Sequence, residues 1–256
     1  MDIGQIAKIL VDARLEGIRL PALPTPEPTN LASAYEIQDA AISLLDSPVV
    51  GWKVAATSDV GMQSLGIDHP LAGPLFQCYT HSSPAKLKTF SDSMCLIEAE
   101  FAFSIKHDLP PKAEDYTPAE VGTAIDAIHP AIEVVNTRCI EDFNVGANWV
   151  VADGTANDAF IYGKGIVNWQ QFDLSSHLVE VDINGAFKGS GSGAAVLGGP
   201  INVLHWLVNH LRQRDITLKA GAFVSTGVTT PLITALKGDL IEANFGALGS
   251  IELEIK

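Results

Sequence analysis

Glu98 and Glu100 stand two residues apart inside an apolar run, Leu96-Ile97-Glu98-Ala99-Glu100-Phe101-Ala102-Phe103-Ser104-Ile105. The run reads as a β-strand. Side chains alternate across a strand, so the two carboxylates share one face and Ile97, Ala99, Phe101, Phe103 and Ile105 take the other. Two anions side by side repel each other, and the repulsion grows where solvent is scarce. A divalent cation relieves it, because hard cations bind carboxylate oxygens. A solvated sheet face tolerates the same pair without an ion. Glu133 poses the same choice in Ala131-Ile132-Glu133-Val134-Val135-Asn136. If the three meet on neighbouring strands, their all-oxygen ligation favours magnesium, manganese or calcium over zinc. Lys53 lies in a third apolar stretch, Val49–Ala55. It is either an acid–base group or anchor for an anionic substrate, or an ammonium that snorkels to water from a strand end.

Other chemistries find weaker support. The glycine-rich run Gly189–Pro200 has valine at 196 where a dinucleotide-binding GxGxxG needs glycine, and it lacks the Gly-Lys-Ser/Thr of a P-loop. Tight turns leading into a helix at Pro200 explain it better. His205 and His210 are not spaced i, i+4, so packing or surface roles are expected. The serines, Ser225 included, lack the GxSxG elbow of a serine hydrolase. Asp153-Gly154-Thr155-Ala156-Asn157-Asp158 reads as a capped polar turn. Cys78, Cys95 and Cys139 are odd in number and have no CxxC spacing, so free buried thiols are expected rather than a disulfide or zinc framework.

These residues need elements to position them. Apolar spacing predicts helices over 3–16 and 31–45, joined by the proline-rich spacer 21–28. The period then changes. Strands are expected over 49–55, 96–105, 131–136, 158–163, 178–183, 222–226, 240–245 and 250–255. Short helices are expected over 58–66, stopped by Gly66, over 118–128, opened by Thr117-Pro118, and over 200–213. Asn184-Gly185 signals a hairpin. The fold class is α+β, a helical N-terminal part on a β-rich body.

Composition sets the outer limits. The 256 residues are 47% hydrophobic and 18% charged, which suits a sizeable core and is consistent with surface buried between subunits. A net charge of −14 argues against a nucleic-acid or acidic-membrane surface, yet one lysine or a metal can still receive an anionic substrate. No apolar run is long enough to span a membrane. Met1-Asp2-Ile3-Gly4-Gln5 carries an early acid and no basic stretch, so no secretory signal is expected and the cytoplasm is the expected location.

In this order the motifs resemble the 2-hydroxypenta-2,4-dienoate hydratase and 4-oxalocrotonate decarboxylase family of the fumarylacetoacetate hydrolase-like superfamily. The matching stretches are Gly-Trp-Lys-Val-Ala-Ala-Thr-Ser (51–58), Leu-Gly-Ile-Asp-His-Pro-Leu-Ala-Gly-Pro-Leu (65–75), Ile-Glu-Ala-Glu-Phe-Ala-Phe (97–103) and His-Pro-Ala-Ile-Glu-Val-Val-Asn-Thr-Arg (129–138). Val-Ala-Asp-Gly (151–154), Gly-Ser-Gly-Ala-Ala-Val-Leu-Gly-Gly-Pro (191–200), Leu-Lys-Ala-Gly (218–221), Ser-Thr-Gly (225–227) and Gly-Ala-Leu-Gly-Ser (246–250) follow. The resemblance implies a β-roll body over 76–256 behind an N-terminal part over 1–75. It implies Mg2+ or Mn2+ held by Glu98, Glu100 and Glu133, Lys53 as the catalytic group, and substrate contacts at Leu75 and Thr226. It also implies a small anionic 2-oxo acid as substrate, and a homo-oligomer that can associate with a related decarboxylase.

The implied reaction is hydration of a short 2-hydroxydienoate, as in meta-cleavage pathways of aromatic catabolism. Decarboxylation and carbon–carbon bond hydrolysis are the alternatives within the superfamily. Three positions depart from the family pattern. Pro-Asp-Tyr-Gly reads Pro70-Leu71-Ala72-Gly73, Asp-Asn-Ala-Ser reads Asp153-Gly154-Thr155-Ala156, and the histidine of Gly-His-Pro is Gly199. The ligands are retained while the proton-transfer set is altered. Asp68 replaces the lost acid only if its loop shifts, and a non-catalytic metal-binding partner subunit is a further alternative.

Overall fold

A computed structural model describes residues 1–90 and 92–256. The N-terminal helices α1 (Ile3–Glu16) and α2 (Leu31–Leu44) form where the spacing places them. Their ends are set by side chains. Asp2 accepts from the Gln5 backbone N–H while the Gln5 side chain accepts from Asp2, and Asn30 and Ser33 make the same reciprocal cap on α2. Gly17, at φ +64°, closes α1 in the left-handed conformation. The strand β1 (Val49–Ala55) follows, then α3 (Asp59–Leu65) with Gly66 as its stop. Next come β2 (Leu71–Phe76), β3 (Thr80–Ser82), β4 (Ala85–Leu87) and β5 (Leu96–Ile105).

The segment after residue 117 departs from expectation. Helix α4 covers only Pro118–Thr123, and β6 runs Ile125–Val135. Residues 125–128, expected in the helix, instead begin the strand. Every residue of β6 except Asp126 is buried, and Ile125 and Ile128 pair with Ile105 and Phe103 of β5. Pairing along nearly the whole of β5 decides this segment, and local periodicity cannot see it.

The chain continues through α5 (Ala147–Ala152), β7 (Asn157–Tyr162), β8 (Leu178–Ile183), β9 (Ala186–Ser192) and α6 (Pro200–Gln213). It ends with β10 (Phe223–Ser225), β11 (Ile233–Thr234), β12 (Leu240–Asn244) and β13 (Ser250–Ile255). Asn184 and Gly185, both at positive φ, form the β8–β9 hairpin. The glycine-rich run therefore begins as strand rather than turn. A Cβ at Gly191 would lie 1.8 Å from the Thr229 carbonyl oxygen, so the strand passes another backbone too closely for any side chain. Cys95 and Cys139 are buried, but Cys78 is exposed, against the expectation of three buried thiols.

Two mixed sheets make up the body. One has the order β2-β1-β10-β5-β6-β7-β3, with β11 added on β5, and the other runs β4-β13-β12-β8-β9. Ile97, Ala99, Phe101, Phe103, Ile132 and Val134 cover one side of the first sheet and share a core with Val181, Ile241, Ile251 and Leu253 of the second. Helix α6 adds Val203, Leu204, Leu207 and Leu211 to that core. On the opposite side of the first sheet, α1, α2 and α5 pack into a separate apolar cluster that includes Leu71 and Val151. The mixed helix-and-sheet body with a helical N-terminal part is the expected α+β architecture.

Gly73, paired with Lys53 across β1 and β2, faces the turn before β7. A Cβ there would stand 2.4 Å from the Gly154 carbonyl oxygen and 2.7 Å from the Thr155 Cβ. Gly73→Ala is therefore expected to destabilise the fold by about 1–3 kcal/mol, the usual cost of overpacking. Gly122→Ala, in α4 with nothing within 4 Å of the added Cβ, is expected to be neutral or stabilising. Urea unfolding of the two variants checks the contrast.

Candidate metal and substrate site

Sheet register assembles the three carboxylates. Glu98 lies directly opposite Glu133 in the β5–β6 pair, and Glu100 follows on the same face. One oxygen from each residue can be chosen so that all lie within 4.8 Å of one another. Lys53 enters from β1 across the short strand β10, where its neighbour is the small Ser225. Its Nζ lies 3.1 Å from Glu133 Oε1 and donates to the Thr155 carbonyl oxygen at 3.1 Å. Lys53 and Glu133 are both buried, with side chains 2% and 0% exposed, so the lysine does not snorkel to water. Glu100 is also fully buried, while Glu98 is half-buried, so no solvated sheet face accounts for the cluster.

The remaining hydrogen bonds define what the site lacks. Glu100 Oε2 accepts from Ser225 Oγ at 2.5 Å and from the Gly227 N–H at 2.7 Å. Glu133 Oε1 accepts from Asn157 Nδ2 at 3.0 Å as well as from Lys53. Glu100 Oε1 and Glu133 Oε2 are buried with no partner. A buried carboxylate oxygen without a partner is costly. Two such oxygens beside Glu98, in an all-oxygen donor set, fit a hard divalent ion.

The protonation equilibria express the same strain. Burial, then the charges of Glu133 and Glu98, push Glu100 well above the usual carboxylate range, and Lys53 and Ser225 offset this only in part. Burial raises Glu133 to about 7, against the opposing pull of Lys53. For Lys53, burial acts to lower the proton affinity, but Glu133, Glu98 and Glu100 outweigh it and hold the ammonium above its ordinary value.

The turn before β7 is held as firmly as the strands. Gly154, Thr155 and Ala156 are all left-handed, at φ +67°, +57° and +57°. Non-glycine residues in that conformation cost on the order of 1–3 kcal/mol each and persist only where surroundings impose them. Arg138 imposes much of it. Fully buried, it donates through Nε to Asp153 Oδ1 at 2.7 Å, through its backbone N–H to Asp153 Oδ2 at 2.7 Å, and through its guanidinium to the Asn157 carbonyl. Arg14 of α1 donates to the same carbonyl at 2.7 Å. Gln38 of α2 donates to the Ala72 and Val151 carbonyls and to Thr155 Oγ1. These bonds aim the Thr155 carbonyl at Lys53 and the Asn157 amide at Glu133.

Lys53, Glu98, Glu100 and Glu133 thus come together. Leu75 and Thr226 do not join them. Leu75 packs with Ala102, Ala131 and Phe160 farther along the sheet, and the Thr226 hydroxyl donates to the Phe101 carbonyl. Neither lines the cavity of about 310 Å3 that opens beside Lys53 and Glu98. Asp68, with a side chain 97% exposed, points to solvent and does not replace an acid at Leu71. Asn157, Ser225, Thr155 and the Gly227 N–H are site groups that spacing does not reveal. Ser225 and the 153–158 turn carried the only signal, polar residues bordering strands.

Comparison with models of protein families gives no match. The chain is 30% identical over 230 residues to a 2-keto-4-pentenoate hydratase of Paraburkholderia xenovorans (strain LB400), covering 89% of this chain and 84% of that protein. The structure of a 4-oxalocrotonate decarboxylase from Pseudomonas putida G7, complexed with magnesium and adipate, is 26% identical. It superposes with a TM-score of 0.88 over 99% of this chain and 97% of the other. A putative fumarylacetoacetate hydrolase family protein from Yersinia pestis CO92, 17% identical, shares the fold at a TM-score of 0.64 over 83% of this chain and 95% of its own.

Two outcomes follow from the geometry. Without an ion, Glu100 and Glu133 bind protons more tightly folded than unfolded. The stability this confers is complete below the ordinary glutamate value of 4.5 and is lost as pH rises through about 7 for Glu133. The rise in thermal midpoint on adding magnesium to chelator-treated protein should therefore grow from about pH 5 to about pH 8. A rise independent of pH, read by calorimetry, would contradict the assignment. Arg138→Met should destabilise the fold by about 3–5 kcal/mol, because it strands the buried Asp153. Urea unfolding measures it.

Proposed function

The chain belongs to the family of 2-keto-4-pentenoate hydratases and 4-oxalocrotonate decarboxylases, and from that premise we propose that it is a divalent-metal-dependent lyase hydrating a short 2-hydroxydienoate. The observation that carries this reading is the pair of partnerless buried oxygens, Glu100 Oε1 and Glu133 Oε2, beside the buried ammonium of Lys53. In the proposal Glu98, Glu100 and Glu133 hold Mg2+ or Mn2+. When bound, that ion supplies Lewis-acid polarisation of the substrate's carboxylate and 2-oxygen.

Hydration of a 2-hydroxy-2,4-dienoate converts the enol to a ketone, with a proton added at the terminal carbon. The hydroxyl and hydrogen of water then add across the remaining double bond. Protons must be held and delivered. Among the described residues lining the cavity, Lys53 and Glu98 are the titratable groups, with Thr57, Ser58, Ser64 and Thr155 as hydroxyls. An ammonium has three donors. Lys53 spends two on Glu133 and Thr155, which leaves one for the substrate. In the ion-free site the neighbouring carboxylates hold it as an ammonium, which fits a proton-bearing anion holder better than a base. Leu71 and Ala156 contribute no proton, so Lys53 carries that role in this reading. Substrate contacts at Leu75 and Thr226 form no part of it, because neither reaches the cavity.

The structural match to a decarboxylase over nearly the whole chain favours decarboxylation as the second reading. Loss of absorbance of 2-hydroxypentadienoate and carbon dioxide release from 4-oxalocrotonate, measured side by side with magnesium or manganese, separate the two. Lys53→Met is expected to lower kcat by about 10²–10⁴-fold, the range for a proton-transfer group, with ion affinity retained. Glu100→Gln is expected to lose ion binding in titration calorimetry. Ion binding without turnover of either acid would identify a non-catalytic partner subunit. Assembly into a homo-oligomer belongs to the same proposal, and light scattering measures it.

A further inference from the structure

Thr57, Ser58, Ser64 and Thr155 bring hydroxyls to the cavity beside Lys53 and Glu98. Three of these are already bonded within the protein. Ser58 Oγ caps α3 by accepting from the Gly61 N–H at 3.1 Å, and Ser64 Oγ donates to the Gly61 carbonyl at 2.8 Å. Both serines are exposed. Thr155 Oγ1 donates to the Ala72 carbonyl at 2.6 Å and accepts from Gln38. Thr57 differs on both counts. It is only 4% exposed, and among the described residues its hydroxyl makes no hydrogen bond. A buried hydroxyl without a protein partner is costly unless something in the cavity bonds it.

The neighbouring backbone keeps room for this hydroxyl. Gly227 has φ +95°, and a Cβ there would lie 2.2 Å from Thr57 Oγ1. The Gly227 N–H in turn donates to Glu100 Oε2. Thr57 therefore approaches the carboxylates from the Glu100 side, whereas Lys53 bonds Glu133.

Hydration asks for such a group. The adding water needs an acceptor for one of its hydrogens, so that a lone pair faces the carbon it attacks. The Lys53 ammonium has donors only, and Glu98 is committed to the ion in the function proposed above. A threonine hydroxyl accepts from water and can also donate. As the water oxygen bonds to C4, the C3–C4 π pair moves toward the 2-oxygen. The proton lost from the water is matched by one taken up at C3, so no co-reactant is needed.

We propose that Thr57 Oγ1 hydrogen-bonds the oxygen that adds at C4, first as water and then as the product's hydroxyl, which makes Thr57 a catalytic residue of the hydration step. The proposal rests on the function proposed above and assigns a residue to its second half-reaction.

Thr57→Val keeps the shape and removes the hydroxyl, while Thr57→Ser keeps the hydroxyl and removes the methyl. Titration calorimetry on the magnesium-loaded protein compares 4-hydroxy-2-oxopentanoate with 2-oxopentanoate, which differ only in the hydroxyl at C4. The unaltered protein and Thr57→Ser should favour the hydroxy acid by about three- to tenfold, the worth of one net hydrogen bond. Thr57→Val should lose that preference while binding magnesium as before. Acting on 2-hydroxypentadienoate, Thr57→Val should form the hydroxy acid about tenfold or more slower and release a larger share of unhydrated 2-oxopent-3-enoate, both read by proton NMR. A packing role gives the reverse pattern, with Thr57→Ser impaired and Thr57→Val intact, and that result overturns the proposal. Equal binding of the two acids by the unaltered protein overturns it too. A preference for the hydroxy acid that Thr57→Val abolishes, without hydration of any 2-hydroxydienoate, overturns the proposed function and leaves the Thr57 contact standing.

Discussion

Three carboxylates converge on one face of a buried sheet, with a single ammonium to answer them. Much of the surrounding structure follows from that imbalance. Charges this close in a poorly solvated place must be paired, protonated or bridged by a cation. The protein pairs part of the charge through Lys53, spreads part of it over Ser225, Gly227 and Asn157, and leaves two oxygens unanswered. The unanswered pair marks where the remaining positive charge belongs.

Support for this arrangement reaches into the N-terminal helices. Arg14 on α1 and Gln38 on α2 both end on the turn that carries Thr155 and Asn157. Arg138 and Asp153 close the same turn from inside the body. The turn is locally unfavourable, with three consecutive left-handed residues, so tertiary contacts must impose it. The helical part therefore covers the sheet and also fixes the direction of the Thr155 carbonyl that accepts a hydrogen bond from Lys53. Gly73 completes the device by leaving room for the turn to approach β2.

The legible parts of the sequence are those whose determinants are local. Helices α1 and α2 carry side-chain caps, α6 opens on Pro200, all three have a regular apolar stripe, and their bounds can be read directly. The alternation at Glu98 and Glu100 gives a shared face without knowledge of any partner strand. Pairing across strands is not local. Residues 125–128 suit a helix by composition, and contact with β5 draws them into β6. Strand β2 is interrupted by glycine and proline, β9 by two glycines, and both lack a strand period. In the site, the Thr155 carbonyl and the Gly227 N–H are backbone groups, which no residue type announces. Ser225 and Asn157 are ordinary polar residues until register brings them to Glu100 and Glu133. The resemblance to a family supplied the convergence of Glu133 with the pair, which spacing alone leaves open.

The departures at the site sit where the fold can absorb them. Removing Lys53 or Glu133 would break a buried ion pair, which couples these two positions to stability as well as to chemistry. Position 71 is different. Leu71 is fully buried in the apolar cluster of α1, α2 and α5, which also holds Tyr35 and Val151. An aspartate there would lie among apolar side chains with no cation assigned to it, so restoring the family's acid would require repacking the helices too. Leucine at 71 is thus part of how the helical layer is built in this chain. In the proposed function, proton handling then falls on the buried ammonium paired with Glu133, Lys53.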